Sequence, residues 1–203
     1  KKRYYQQILK EQESTFKDNI VSYKGASRWV QNMLPYPIAS KEPAASQIRH
    51  GGTYIIIGGL GDLGGIISKY LLEKFEVNII LIGRSQLPEK TEWERWMKEN
   101  DATSPLGIKI EKALRLSKLK GTVDFMQADS TSYEDFVKVF EKVQARFSQI
   151  DGIFHSAGAI AQNSFNVVNS IDEEQLGFHF PVKTKGLDVI QKVVEKHPIT
   201  FVA

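Results

Sequence analysis

Apolar positions along this chain change their spacing twice. Over residues 1–18, Tyr5, Ile8, Leu9 and Phe16 fall roughly on one helical face, which predicts a helix. Ile20, Val21 and Tyr23 then precede a Lys24-Gly25 turn, and Trp29, Val30, Met33 and Leu34 follow it, the pattern of a hairpin. Residues 35–47 hold three prolines and several small side chains and read as a connector. From Thr53 onward, short apolar runs alternate with amphipathic stretches. Strands are predicted at 54–57, 77–82, 123–126, 150–155 and 199–202. Helices are predicted through Ile66, Ile67, Tyr70 and Leu71, over 133–147, and over about 184–196.

Apolar strands separated by helices imply a parallel sheet covered on both faces. Right-handed crossovers make this an α/β fold of the doubly wound Rossmann type. The stretch from 86 to 120 is too long for a simple connection. It contains E-W-E-R-W-M-K and I-E-K-A-L-R-L and is read as an inserted helical excursion. Two domains follow from the change in pattern, 1–50 with its hairpin and connector, and 51–203.

Composition narrows the class without deciding it. At 203 residues, 41% hydrophobic and 25% charged, the chain is ordinary for a globular protein. The 27 basic and 24 acidic residues are interleaved, so the net charge of +3 forms no nucleic-acid stripe. No cysteine occurs, which removes disulfides, thiolate zinc sites and cysteine nucleophiles and fits a reducing cytoplasm. No run is long enough to span a bilayer, and the four histidines are too scattered for a metal cluster.

The chemistry begins at I-G-G-L-G-D-L-G, residues 57–64, directly after the first apolar run. Gly59, Gly61 and Gly64 satisfy G-x-G-x-x-G, and Gly58, Gly61 and Gly64 satisfy a G-x-x-G-x-x-G spacing. Either register sets a tight turn between strand and helix, where backbone N–H groups, those of Leu60 and Leu63 included, approach a pyrophosphate. The second register is preferred, with Gly59 helping the turn. Asp62 is awkward beside a phosphate, but at a helix start it suits the dipole, so its side chain is expected to point away from the ligand.

Three further strand ends bear on the same ligand. The second strand ends L-I-G-R-S with no carboxylate before Glu89, whereas an NAD site usually carries an acid there for the ribose hydroxyl. Arg84, followed by Ser85, suits a 2′-phosphate instead, so the cofactor is expected to be NADPH. Asp129 and Ser130 close the third strand. Asp129 is placed either to accept from an adenine amine or, with Ser130 and Thr131 as rivals, to cap the next helix. Ser156, Ala157 and Gly158 follow the fourth strand, where bulk would block a cofactor. His155 taken alone reads as a packed or capped histidine.

These stretches together resemble a family. G-G-L-G-D-L-G, G-R-S, A-D-S, H-S-A-G and K-T-K-G are similar to the ketoreductase domains of modular polyketide synthases, relatives of the short-chain dehydrogenases. The resemblance covers nearly the whole chain. I-V-S-Y-K-G-A-S-R-W-V-Q resembles the closing hairpin of the truncated, cofactor-free half that precedes the catalytic half in that family. It implies reduction of a β-ketoacyl group to a β-hydroxyacyl group by NADPH. The partners it implies are an acyl carrier protein bearing that group as a phosphopantetheine thioester and the remainder of a multidomain synthase. Neither nucleic acid nor membrane is among the expected partners. Within Lys183-Thr184-Lys185-Gly186, which matches the family's K-x-x-G setting, Lys183 becomes the catalytic lysine; without the resemblance it reads as a solvated lysine at a helix start.

The match has a limit. The family's serine and tyrosine, which polarise and protonate the carbonyl, lie beyond a strand corresponding to I-T-F-V-A, and every tyrosine here lies at or before Tyr133. The chain is therefore expected to bind NADPH weakly or not at all, to reduce nothing alone, and to be an incomplete piece of a larger synthase with one sheet edge uncovered. Gln162 stands near the place where one stereochemical class carries an aspartate, so the hand of the product is left open. A non-catalytic structural or interaction module that keeps the fold is the alternative, and a sugar epimerase or another reductase sharing the glycine loop is a third reading.

Overall fold

The computed structural model describes residues 2–15, 18–35, 47–158, 172–197 and 199–203. Contacts divide the chain into two units, Lys1–Ala44 and Ala45–Ala203. The first contains α1 (Lys2–Glu13) and a hairpin of β1 (Val21–Lys24) and β2 (Ser27–Val30). The two strands pair with Lys24 opposite Ser27, leaving a two-residue loop at Gly25 and Ala26. Gly25 takes φ +63°, the left-handed conformation such a tight hairpin requires. Arg28 ties the unit together, donating to both Glu11 oxygens at 2.9 and 2.6 Å and to Asp18 at 2.8 Å. Phe16, which the helical pattern includes, lies outside the described residues, and α1 ends at Glu13.

The second unit is a parallel five-stranded sheet with helices on both faces. Its elements are β3 (Thr53–Ile57), α2 (Asp62–Phe75), β4 (Asn78–Gly83), α3 (Trp93–Glu99), α4 (Pro105–Ser117), β5 (Thr122–Gln127), α5 (Tyr133–Phe147), β6 (Gly152–His155), α6 (Glu173–Lys183), α7 (Lys185–Val194) and β7 (Phe201–Val202). A single 3₁₀ turn, Lys90–Glu92, leads into α3. The strands lie in the order β5-β4-β3-β6-β7. The chain thus starts in the middle, fills one side through β4 and β5, and crosses back to β6 and β7. The order reverses between β3 and β6, and in open α/β sheets that is where ligands sit, beyond the carboxyl ends of the strands.

Alternation along the strands divides the core. Ile55, Ile57, Ile80 and Ile82 face Phe136, Val139, Phe140 and Val143 of α5 and Val189, Ile190 and Val193 of α7. Tyr54, Ile56, Ile79 and Leu81 face the other way, onto Leu71 and Leu72 of α2 and Leu116 of α4. All five residues of β3 are buried, which explains why the central strand reads as one unbroken apolar run. At the amino end of the sheet, the buried Asp151 carboxylate accepts from Arg49 Nε and Nη2 at 3.0 and 2.9 Å and from the Thr53 amide at 2.8 Å. This clip joins the segment entering β3 to the start of β6.

The excursion after Arg84 holds α3 and α4. Ser104 caps α4, accepting from the Gly107 amide at 3.0 Å, and Pro105 occupies its first turn. Trp93, Ile110 and Ala113 form a small buried cluster of their own, against which Leu60 and Phe125 pack. One helix has no counterpart in the sequence pattern. α6 runs through Gly177 and Pro181, residues that ordinarily argue against a helix.

Candidate functional site

Four loops meet at the carboxyl end of the sheet. The first is the turn from β3 into α2. Gly58 sits at φ +76°, its amide donates to Ile82 O at 2.8 Å, and its carbonyl accepts from Gly61 at 2.9 Å. A methyl group on Gly58 would stand 2.9 Å from the Ala157 amide nitrogen, so the turn and the β6 loop touch backbone to backbone. Gly64 is packed as tightly, its missing Cβ only 2.5 Å from Gly58 O and 2.8 Å from Ser156 Oγ. Gly59 faces Leu81, so both of the first two glycines are sterically required and both registers describe real constraints. Helix α2 starts at Asp62 with no side-chain cap at Gly61. Its first turn therefore lacks a side-chain acceptor at the cap, and Gly61, Asp62 and Leu63 line the cleft.

Asp62 lines the cleft at the start of α2 and is bonded to α4. Its side chain is 97% exposed and accepts from Lys112 Nζ at 2.8 Å. That hydrogen bond and the lysine charge hold its carboxyl below the usual carboxylate range.

Arg84 and Ser85 follow β4, and Asp129 and Ser130 follow β5. Asp129 is not a helix cap. Ser132 caps α5, accepting from Asp135 N at 3.3 Å, while Asp129 Oδ1 accepts from Thr131 N and Oγ1 at 2.9 and 2.8 Å. Five residues, 128–132, separate the strand from the helix, and the cap is the last of them, one position beyond Thr131. Burial pushes the Asp129 carboxyl upward, but the two Thr131 hydrogen bonds and the Arg84 and Lys185 charges outweigh it, and the net shift is downward. Ser130 is buried.

Ser156 donates its hydroxyl to Ile57 O at 2.8 Å, and its amide donates to the same oxygen at 3.0 Å. It braces the switch point between β3 and β6. Lys183 ends α6, with its side chain exposed at the cleft. The next helix starts at Lys185, and Gly186 is buried where a Cβ would stand 3.2 Å from His155 Nε2. The glycine of K-x-x-G is thus a close-approach residue that lets α7 pass His155. That His155 Nε2 is buried without a hydrogen-bond partner.

The cleft has a volume of about 640 Å³. Gly58, Leu60, Gly61, Leu63, Arg84, Ser85, Asp129, Ser130, Ser156, Ala157, Gly158 and Lys183 line it, so twelve of the fourteen residues singled out in the sequence converge. Gly59 and Gly64 shape the turn from behind. A groove of about 720 Å³ shares Arg84 and Asp129 and continues past Lys138 and Lys142 of α5. Two contributors have no signal in the sequence. Lys109 of α4 reaches the cleft and donates to Ser85 Oγ, and Val182 joins it from α6. Gln162 lies outside the described residues. No group of acidic or histidine side chains suited to a metal ion occurs among the described residues, and no helix is long and apolar enough to cross a membrane.

Residues 52–203 match the family model described as KR domain. The chain belongs to the KR domain family. It is 29% identical over 143 residues to polyketide synthase PksM of Bacillus subtilis (strain 168), covering 70% of this chain and 3% of that protein. Against polyketide synthase PksN of the same organism it is 27% identical over 128 residues, covering 63% of this chain and 2% of that protein. The chain therefore spans only a few hundredths of the length of these curated relatives. Among solved structures, the crystal structure of a ketoreductase domain from the bacillaene assembly line aligns with a TM-score of 0.66 at 20% identity, covering 97% of this chain and 41% of that one. A 3-ketoacyl-(acyl-carrier-protein) reductase from Brucella melitensis, complexed with NADH, aligns at 0.52 and 16% identity over 73% of this chain and 50% of that one. Both likenesses are of fold, the short-chain dehydrogenase fold that this KR domain shares.

Proposed function

We propose that this KR domain chain carries the NADPH-binding part of a polyketide synthase ketoreductase, which reduces a β-ketoacyl group held on an acyl carrier protein to the β-hydroxyacyl group. The observation that carries the reading is the convergence of the glycine turn, the two strand-end pairs, the β6 loop and Lys183 on one cleft at the switch point of the sheet.

The residues fit a dinucleotide phosphate. A turn whose Cβ positions are already filled by backbone excludes any side chain larger than glycine, and the uncapped first turn of α2 offers amides to a pyrophosphate. Arg84 presents a planar fork to a 2′-phosphate, and no acid stands at the end of β4 to repel it. Asp129, held ionised by Thr131, is an acceptor for the adenine amine. Ala157 and Gly158 keep the β6 side of the cleft free of bulk. NADPH supplies the hydride when bound. Lys183 at the rim provides a fixed positive charge near the reacting end, in the place the resemblance gives to the family's lysine.

No tyrosine stands ready as the proton donor among the described residues. Tyr54 is buried with its hydroxyl accepting from the Arg49 amide, and the Tyr133 hydroxyl accepts from Lys196; among the described residues no tyrosine lines the cleft. The 203 residues alone are thus expected to bind the nucleotide weakly and to turn over no ketone. The test is NADPH consumption by the full gene product when offered a β-ketoacyl thioester. Loss of that consumption in Lys183→Met and Gly58→Val supports the reading, and undiminished consumption in Gly58→Val overturns it.

A further inference from the structure

Helix α4 belongs to the excursion, yet it reaches both loops that form the phosphate end of the cleft. Lys109 and Lys112 are three residues apart and share a face. Ile110 and Ala113, both buried, set that face by turning the adjoining strip of the helix into the Trp93 cluster. Lys112 donates to Asp62 Oδ1 at 2.8 Å and to Leu60 O at 3.4 Å, on the glycine turn. Lys109, half-buried, donates to Ser85 Oγ at the end of β4.

The two lysines differ in how their charges are met. Lys112 has the Asp62 carboxylate. Among the described residues no carboxylate forms an ion pair with Lys109 or with Arg84. Asp129 feels the Arg84 charge, but its Oδ1 accepts from Thr131. Two cations without an ion pair and a hydroxyl therefore line the same cleft where β4 ends, 24 residues apart in sequence for Lys109 and Ser85. Such a set suits a dianionic phosphate monoester, with the arginine fork giving direction and the lysine a point charge.

We propose that Lys109 is a specificity-determining residue, receiving with Arg84 and Ser85 the 2′-phosphate of an adenine ribose. The helix of the excursion, together with the strand end, then selects a phosphorylated over an unphosphorylated dinucleotide. This rests on reading the cleft as a dinucleotide site, and the test separates the two.

The 203-residue chain is titrated calorimetrically with 2′,5′-ADP and with 5′-AMP, which differ only by the phosphate in question. The wild type is expected to bind 2′,5′-ADP more tightly. Lys109→Met is expected to weaken 2′,5′-ADP by about tenfold while leaving 5′-AMP unchanged, the effect of losing one charge-assisted contact. Lys109→Arg should restore most of the loss, and Lys109→Gln gives the same readout should methionine disturb the packing of α4. A wild type that prefers 2′,5′-ADP and a Lys109→Met variant that binds it equally well would overturn the role of Lys109 and leave the cleft reading standing. Equal weakening of both probes would make Lys109 a structural brace and overturn the proposal. Equal binding of the two probes by the wild type would overturn the proposal and leave a dinucleotide site, and binding of neither would overturn both.

Discussion

A methyl group on Gly64 would lie 2.5 Å from the carbonyl oxygen of Gly58, so the glycine turn is closed against itself as well as open to the cleft. The neighbouring Gly65 has nothing within 4 Å of its Cβ position. The two adjacent glycines should therefore respond in opposite directions. Gly64→Ala is expected to lower stability by about 1–3 kcal/mol through overpacking. Gly65→Ala, in the first turns of α2, is expected to raise it by about 0.5–1 kcal/mol. Thermal melts of the two variants check this, and shifts of the same sign would refute the packing described for the turn.

The opposite end of β3 offers a second contrast. Asp151, with a side chain only 4% exposed, accepts from Arg49 and from the Thr53 amide. Asp151→Asn keeps the size but removes the charge that both donors face, at a cost of about 1.5–3 kcal/mol. Thr53 begins the strand that Gly58 follows, so nucleotide affinity measured well below the melting temperature should not change. Urea denaturation and a binding titration on the same variant test the two halves of this statement.

The central strands β3 and β4 are legible because their burial is nearly complete, and a run such as Y-I-I-I has no other stable place to go. The glycine loop, Arg84 and Asp129 were legible because a strand end imposes a position on whatever follows it. Helix α6 was not. Its hydrophobicity has little periodicity, and Gly177 and Pro181 weigh against it locally, so tertiary packing decides its form. Lys109 was invisible for a different reason. Among 27 basic residues nothing local separates it from a solvated lysine, and only the docking of α4 brings it to Ser85. The cap of α5 falls on Ser132, one residue beyond Asp129, Ser130 and Thr131, because Asp129 spends its carboxylate on Thr131 within the turn.

Acid should weaken the smaller unit through one carboxylate, Glu11. The Arg28 hydrogen bond, reinforced by Tyr23, lowers the Glu11 carboxyl from 4.5 to about 2. A carboxyl depressed on folding contributes its full stabilisation above the unfolded value of 4.5 and loses it as the pH falls through about 2. The α1–hairpin contacts should thus weaken between those limits. The Glu11 carboxyl carbon shift, followed by NMR, is expected to titrate far below a model glutamate, and Glu11→Gln should remove the corresponding dependence of the unit's stability on acid. A midpoint near the ordinary value would contradict the Glu11–Arg28 geometry.

If the cleft at the switch point holds NADPH, Arg84 is the residue that should distinguish it from NADH. The most direct measurement is the ratio of dissociation constants for the two nucleotides, in the wild-type chain and in Arg84→Gln. The account predicts NADPH binding tighter by about tenfold or more, with Arg84→Gln erasing most of that ratio by weakening NADPH alone. Equal affinities, or tighter binding of NADH by the wild type, would contradict it.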